Sequence, residues 1–264
     1  MLQPPLDLAP SQRARLEQFG AAQSIDIHCH CLPGLDDGPR SDEDSLALCR
    51  SLVEDGLTHV VATPHQLGRY DGKNESAQIR EAVETLSKRL EAEQVPLTIL
   101  PGADVRVDER IIKLLTDDRV MTIADARRFL LLELPHETYI DLRLFIRALK
   151  AKGITPIITH PERHHVLAAK PHLLDPWLAE GAVIQITAGS LTGDFGPEVE
   201  RAAWDFLNRS QGGLNTLIAT DAHDAIRRGP RMTAAIEAIT SHLSHETARR
   251  VCIENPHLVL SADE

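Results

Sequence analysis

Asp26-Ile27-His28-Cys29-His30 closes the first apolar stretch of the chain, and the turn containing Asp36-Asp37-Gly38-Pro39 follows at once. Those residue types suit a metal ion. Histidines at i and i+2 of a strand project from one face, because strand side chains alternate with period 2, so both rings can reach the same ion. Asp36 and Asp37 arrive on the adjoining loop. An isolated His-x-His is more often an ordinary strand end with exposed rings, so the remaining chain has to decide.

Similar residues recur at the ends of later apolar runs: Thr63-Pro64-His65, Gly102-Ala103-Asp104, Glu133 within Leu130-Leu131-Leu132-Glu133-Leu134, His160-Pro161-Glu162-Arg163 and Thr220-Asp221-Ala222-His223. With the first pair and Asp37 they make nine metal-competent side chains: His28, His30, Asp37, His65, Asp104, Glu133, His160, Asp221 and His223. Taken singly, the histidines read as loop residues and the aspartates as turn or cap residues. Glu133 is harder to explain that way, since a carboxylate inside an apolar run costs several kcal/mol unless paired or metal-bound. Jointly, the ordinary explanation needs a coincidence at six strand ends.

Mixed imidazole and carboxylate donors favour Zn²⁺, Mn²⁺, Fe or Co²⁺ over Cu(I), and nine exceed what one ion can use, so two or three divalent ions are expected. Glu133 could bridge two of them, and a hydroxide held between ions would be a nucleophile at neutral pH. Such a site hydrolyses phosphate esters. Arg163 and Arg228 share the rim and could clamp phosphate oxygens in a bidentate way, with Arg231 a weaker candidate.

The elements that must position these residues are legible in the patterning. Seven short apolar, β-branched runs, at 24–28, 58–63, 97–100, 129–134, 154–159, 182–187 and 216–220, alternate with helical patterns. Ser41-Asp42-Glu43-Asp44 opens one helix like a capping box, with Leu46, Leu48, Leu52 and Val53 on or near its buried stripe and Asp55-Gly56 as its stop. Residues 76–90 and 140–151 carry apolar side chains at spacings of three and four. Alternation over the whole chain implies an α/β fold with a parallel sheet, and seven or eight units favour a closed or nearly closed barrel, whose active sites lie at the C-terminal strand ends. One domain is expected over 24–264, preceded by an extension, 1–23, that includes a possible short helix near 11–19.

Composition narrows the function. The 264 residues include 28 basic and 39 acidic side chains, a formal net charge of −11, which argues against nucleic-acid or anionic-membrane binding. No apolar run approaches the roughly 20 residues that span a bilayer, and the N-terminus lacks a signal-peptide pattern, so a cytoplasmic protein without membrane insertion is expected. Cys29, Cys31, Cys49 and Cys252 show no zinc-ribbon or disulfide-scaffold spacing, consistent with a reducing compartment. None has an arginine six positions later, as a thiol-based phosphatase loop would need. Cys29 alternates away from the two histidines and reads as packing, whereas Cys31 is open.

Together, Asp26-Ile27-His28-Cys29-His30, the Asp36-Asp37-Gly38-Pro39 turn followed by Ser41, Thr63-Pro64-His65, Glu133, His160-Pro161-Glu162-Arg163 and Asp221-Ala222-His223 resemble the polymerase and histidinol phosphatase (PHP) superfamily. The Asp-Asp-Gly-Pro turn, His-Pro-Glu-Arg and the closing Glu254-Asn255-Pro256 resemble its bacterial protein-tyrosine phosphatase branch, the CpsB/YwqE type, over about residues 24 to 260. The resemblance implies a distorted TIM-like (β/α)7 barrel of the PHP type, a trinuclear centre commonly filled by Mn²⁺, and the nine residues above as its ligands, with Arg163 and Arg228 on the phosphate. The implied substrate is the phosphotyrosine tail of a bacterial tyrosine kinase that controls capsule or exopolysaccharide export. Histidinol phosphate or another small phosphomonoester, and a non-catalytic metal-retaining module, are the alternatives; an oligomer is possible. Two departures stand out: Asp104 occupies a position where the family pattern has Glu, and residues 1–23 precede the strand that normally begins the protein.

Overall fold

A computed structural model describes residues 23–209 and 215–261; the expected N-terminal helix near 11–19 lies outside the described residues. Nine parallel strands form in the order β1 (Ile25–Cys29), β2 (His59–Ala62), β3 (His65–Gln66), β4 (Thr98–Pro101), β5 (Asp104–Arg106), β6 (Phe129–Glu133), β7 (Thr155–Thr159), β8 (Val183–Thr187) and β9 (Thr216–Ala219). They hydrogen-bond as two sheets, β1-β2-β4 and β3-β5-β6-β7-β8-β9.

The nine strands are seven staves. Pro64 has no N–H to continue the ladder, so β2 and β3 are two pieces of one stave. Gly102 divides β4 from β5: a Cβ there would stand 2.5 Å from Val61 Cγ1, and only glycine permits that approach. The ring closes between the first and last staves, where His30 N donates to Ala222 O and Asp221 N donates to His28 O, both at 2.8 Å. Buried Asp26 reinforces the joint by accepting from Thr220 N at 3.0 Å, from His28 N at 3.2 Å and from the Thr220 hydroxyl. The expected (β/α)7 barrel is therefore the observed fold.

Two apolar layers follow from strand alternation. Val60, Ala62, Leu130, Leu132, Ile158, Ile184 and Ile218 pack with the helices outside the barrel. Their neighbours Val61, Leu131, Ile157, Val183 and Leu217 fill its floor with Ile25, Ile27, Ile123 and Val259. Continuing the inner parity toward the C-terminal strand ends reaches Glu133, Thr159, Gln185 and Asp221. The same inward row is thus apolar at the floor and polar at the rim.

The longer helices are α1 (Asp42–Glu54), α2 (Ser76–Ala92), α3 (Arg143–Lys150), α4 (Pro197–Arg209) and α5 (Met232–His242). Ser41 caps α1 by accepting from Asp44 N, and Leu46, Leu48, Leu52 and Val53 are buried as the periodicity required. Helix α2 buries Ile79, Val83, Leu86 and Leu90, with Glu75 and Gln78 forming its capping box. Helix α3 is shorter than the expected 140–151, since Leu142 only caps it and Asp141 instead accepts from Arg143 N. After α5, Asn255 donates to Thr216 O at 2.6 Å and ties the C-terminal segment to the floor. No helix among the described residues is long and apolar enough to cross a membrane.

Candidate metal centre

A β-bulge decides what the first strand presents. Ile25 and Ile27 belong to the barrel floor, yet Cys29 pairs with Ala62 and packs in the outer layer. The irregularity between Asp26 and Cys29 reverses the alternation, and His28 and His30 turn inward. Strand alternation alone, counted from Ile25, would have sent them outward.

The inward rings meet at the C-terminal rim. His28 Nε2 lies 3.2 Å from His30 Nε2, and Asp221 Oδ1 lies 3.4 Å from each. Asp104 Oδ2 is 3.7 Å from His28 Nε2, 3.4 Å from His65 Nδ1 and 4.0 Å from His160 Nε2. Asp37 Oδ1 is 3.4 Å from His65 Nε2 and 3.6 Å from His223 Nε2, while Glu133 Oε2 is 3.9 Å from His65 Nδ1. Among the described residues, the groups with metal-binding spacing are His30-Asp37-His65-His223, His28-Asp104-His160, His28-His30-Asp221 and His65-Asp104-Glu133. All nine side chains singled out by sequence are in these groups, and no other residue is.

The surroundings orient the donors. His28 Nδ1 faces Gln185 Oε1 at 2.9 Å, His30 Nδ1 faces Asp36 Oδ2 at 2.6 Å, and His223 Nδ1 faces the carbonyl of Asp221 at 2.9 Å. Each partner is an acceptor, so each Nδ1 carries a proton, and in the neutral ring Nε2 is the atom that offers a lone pair. His28 Nε2 and His30 Nε2 converge to 3.2 Å, and the buried Asp104 Oδ2 and His223 Nε2 have no hydrogen-bond partner. Convergent buried donor atoms, two of them without a partner, fit divalent cations, which would relieve the burial cost. Burial pulls His28 below its usual range, takes His160 well below it with help from Arg163, and brings His223 down to about 4 with help from His30. Burial also opposes the charge on His30, but Asp36 and Asp221 outweigh it and lift that ring to about 10.

Backbone strain adds to the preorganisation. His160 and Asp221 adopt positive φ, 33° and 51°, and His160 does so immediately before a proline. Such conformations cost on the order of 1–3 kcal/mol and persist where the surroundings impose them. The Asp-Asp-Gly-Pro turn has its own requirement: a Cβ on Gly38 would meet the His30 carbonyl at 2.5 Å.

A cavity of about 340 Å³ is lined by five of these donors, Asp37, His65, Glu133, His160 and Asp221, and by Arg163 and Arg228. Arg228 donates to Asp221 Oδ2 at 2.9 Å, Arg163 contacts the same oxygen, and the Nε of both arginines is buried without a partner. Arg231 is engaged elsewhere, 2.9 Å from Asp194, and does not line the cavity. Glu133 has the partner that its apolar neighbours require. Its leucine neighbours are buried as expected, but it ends β6 with its side chain 12% exposed, and Arg106 pairs with it at 3.2 Å.

Sequence reasoning missed Arg106, Gln185, the outer role of Asp36, and the cavity residues Arg69, Tyr70 and His136. Gln185 had a signal, as the polar centre of Val183-Ile184-Gln185-Ile186-Thr187. Arg106 had none, because its place follows from pairing with Glu133 across β5 and β6. Glu162, in the His160-Pro161-Glu162-Arg163 segment after β7, turns from the donors to accept from Thr187 N and the Ser190 hydroxyl.

Fold and site define a seven-stave parallel α/β barrel with a polar, histidine- and carboxylate-lined centre at the C-terminal rim. The chain belongs to the CpsB/CapC capsular polysaccharide synthesis family, whose model matches residues 24–261. It is 35% identical over 239 residues to tyrosine-protein phosphatase YwqE of Bacillus subtilis, covering 89% of this chain and 91% of that one. Tyrosine-protein phosphatase CpsB of Streptococcus pneumoniae is 28% identical over 243 residues, covering 89% and 98%. A crystal structure from work on YwqE and CpsB, described there as unique metal-dependent tyrosine phosphatases, superposes with a TM-score of 0.84 at 32% identity over 89% of this chain and 94% of that one.

Proposed function

We propose that this protein is a metal-dependent protein-tyrosine phosphatase. One observation carries the reading: in a member of this family, nine imidazole and carboxylate donors fall into overlapping groups with metal-binding spacing, and five of them line one cavity together with Arg163 and Arg228. In this reading His28, His30, Asp37, His65, Asp104, Glu133, His160, Asp221 and His223 hold two or three divalent ions, most simply Mn²⁺. Ions bound there would activate water at neutral pH and withdraw charge from phosphate oxygens.

The chain's own groups do the rest. Arg163 and Arg228 turn toward the dianionic phosphate and neutralise it as charge moves to the leaving oxygen. Gln185 and Asp36 keep His28 and His30 in the tautomer that leaves Nε2 free. A thiol nucleophile has no support: all four cysteines are buried away from the cavity, and burial pushes the Cys29 thiol up to about 11. Phenolate, with a pKa near 10, leaves more readily than an alkoxide, which suits a phosphotyrosine ester. Membership in a capsular polysaccharide synthesis family supports the tail of a tyrosine kinase that governs capsule or exopolysaccharide export, and hence a cytoplasmic setting, as the biological context.

The test is a parallel assay of phosphotyrosine peptide, histidinol phosphate and a phosphodiester, with metal analysis, with and without chelator. Phosphotyrosine turnover lost to chelator and restored by Mn²⁺ is expected. Preference for histidinol phosphate would replace the substrate, and inertness toward all three after reconstitution would leave a non-catalytic module.

A further inference from the structure

The outer wall of the cavity is the loop after β3. Leu67 and Gly68 adopt left-handed backbone, φ 65° and 55°, and the resulting turn lets Tyr70 N donate to Leu67 O at 2.9 Å. The loop is tied down behind: buried Asn74 donates to the carbonyls of Leu35 at 2.8 Å and His65 at 3.0 Å, and Gln66 donates to Asn74 O at 2.6 Å. A Cβ on Gly68 would lie 3.0 Å from Arg106 Cγ, so the turn sits directly on that side chain.

Tyr70 is held on this loop as a half-buried aromatic side chain facing the cavity. Its ring stacks on His65, with centroids 5.7 Å apart and planes 16° apart. The guanidinium carbon of Arg69 stands 4.8 Å from its centroid, and Arg69 is itself anchored to Asp37 at 2.8 Å. The layers therefore run outward from the donor cluster at His65, through Tyr70, to exposed Arg69. Apart from histidines, Tyr70 is the one aromatic among the described residues lining the cavity, in a chain with only two tyrosines.

Metal ions and arginines recognise phosphate whatever alcohol carries it, so they cannot by themselves separate aryl from alkyl esters. A residue one layer outside the donors can, because the ester's carbon skeleton lies at that depth once the phosphate is seated. We propose that Tyr70, clamped by His65 and Arg69, is a specificity-determining residue that contacts the ring of an aryl phosphomonoester and makes the site prefer aryl over alkyl phosphates. The inference rests on the phosphatase reading above. With His65 and Arg69 over its faces the ring offers its edge, so an edge-to-face pair at about 4.5–7 Å is the expected contact, contributing about two- to tenfold in affinity.

The test separates ring contact from leaving-group chemistry by using phosphonates, whose P–C bond is not hydrolysed. Dissociation constants for phenylphosphonate and methylphosphonate are measured by calorimetry on manganese-loaded wild type, Tyr70→Ala and Tyr70→Phe. The wild type should favour phenylphosphonate. Tyr70→Ala should lower that preference about two- to tenfold with methylphosphonate affinity unchanged, and Tyr70→Phe should keep it. An unchanged preference in Tyr70→Ala, or equal weakening of both ligands, overturns the proposal, the latter by showing a merely structural role. Failure of the phosphatase reading would appear separately, as absence of phosphotyrosine turnover in the wild type.

Discussion

Asp36 and Asp37 are adjacent in the chain and have opposite geometry, so exchanging each for asparagine separates an orienting role from direct ligation. Asp36 is fully engaged as an acceptor: Oδ2 takes His30 Nδ1 at 2.6 Å and His65 N at 3.0 Å, and Oδ1 takes Gly38 N at 2.9 Å. Asparagine replaces one oxygen by a donor. Either orientation then sets an NH₂ against an N–H, and one buried donor loses its partner at about 1–3 kcal/mol. The His30 ring also loses its charged anchor, and outer partners of this kind are worth about 10- to 100-fold in metal affinity, or roughly 1.4–2.7 kcal/mol. Asp37, by contrast, is 40% exposed and directs Oδ1 at His65 and His223.

Asp36→Asn should therefore weaken manganese binding by about 10- to 100-fold, measured by chelator competition, and lower thermal stability even in excess chelator. Its turnover should recover at high metal concentration. Asp37→Asn should lose metal stoichiometry and turnover without such rescue, while its melting temperature in chelator stays near wild type. Wild-type metal affinity in Asp36→Asn would refute the orienting role. Full stoichiometry and turnover in Asp37→Asn would show that the two residues had been assigned the wrong way round.

Other outcomes follow from the same geometry. Arg228→Ala should reduce kcat/KM for a phosphotyrosine peptide by roughly 10- to 100-fold, the size of a lost charge-assisted hydrogen bond, whereas Arg231→Ala, its side chain held by Asp194, should change it less than about threefold; the reverse ranking would move the phosphate site. Asp26→Ala removes the acceptor for Thr220 N and His28 N at the barrel joint, so urea unfolding should show a loss of about 2–4 kcal/mol, and a loss under 0.5 would mean that the joint is held without it. Burial lowers the His59 pKa, with His257 adding to the shift, so the unfolded chain binds the extra proton first; stability should fall as pH drops through about 6.5. His59→Gln should flatten that slope between about pH 7 and 5 in urea titrations, and an identical slope would count against a neutral, half-buried His59.

Much of this protein is written locally. Seven β-branched runs separated by amphipathic helices are enough for a (β/α)7 barrel, because strand and helix periods are read within a few residues and the parallel crossover has one favoured hand. The donor chemistry is equally local: His65, Asp104, Glu133, His160, Asp221 and His223 each stand at a strand end, and barrels gather those ends on one rim. What local pattern could not supply is orientation and pairing. Strict alternation from Ile25 would have pointed His28 and His30 away from the centre, and only the bulge before Cys29 turns them in. Arg106 reaches the cavity because β5 registers against β6, and Gln185 meets His28 because barrel closure brings residues 157 positions apart within 2.9 Å. The orienting role of Asp36 and the setting of Tyr70 on its left-handed turn likewise depend on which groups crowd each side chain. Sequence determined which atoms could bind and roughly where they lie; the closed barrel, by imposing register and burial across distant segments, decided which way each one faces.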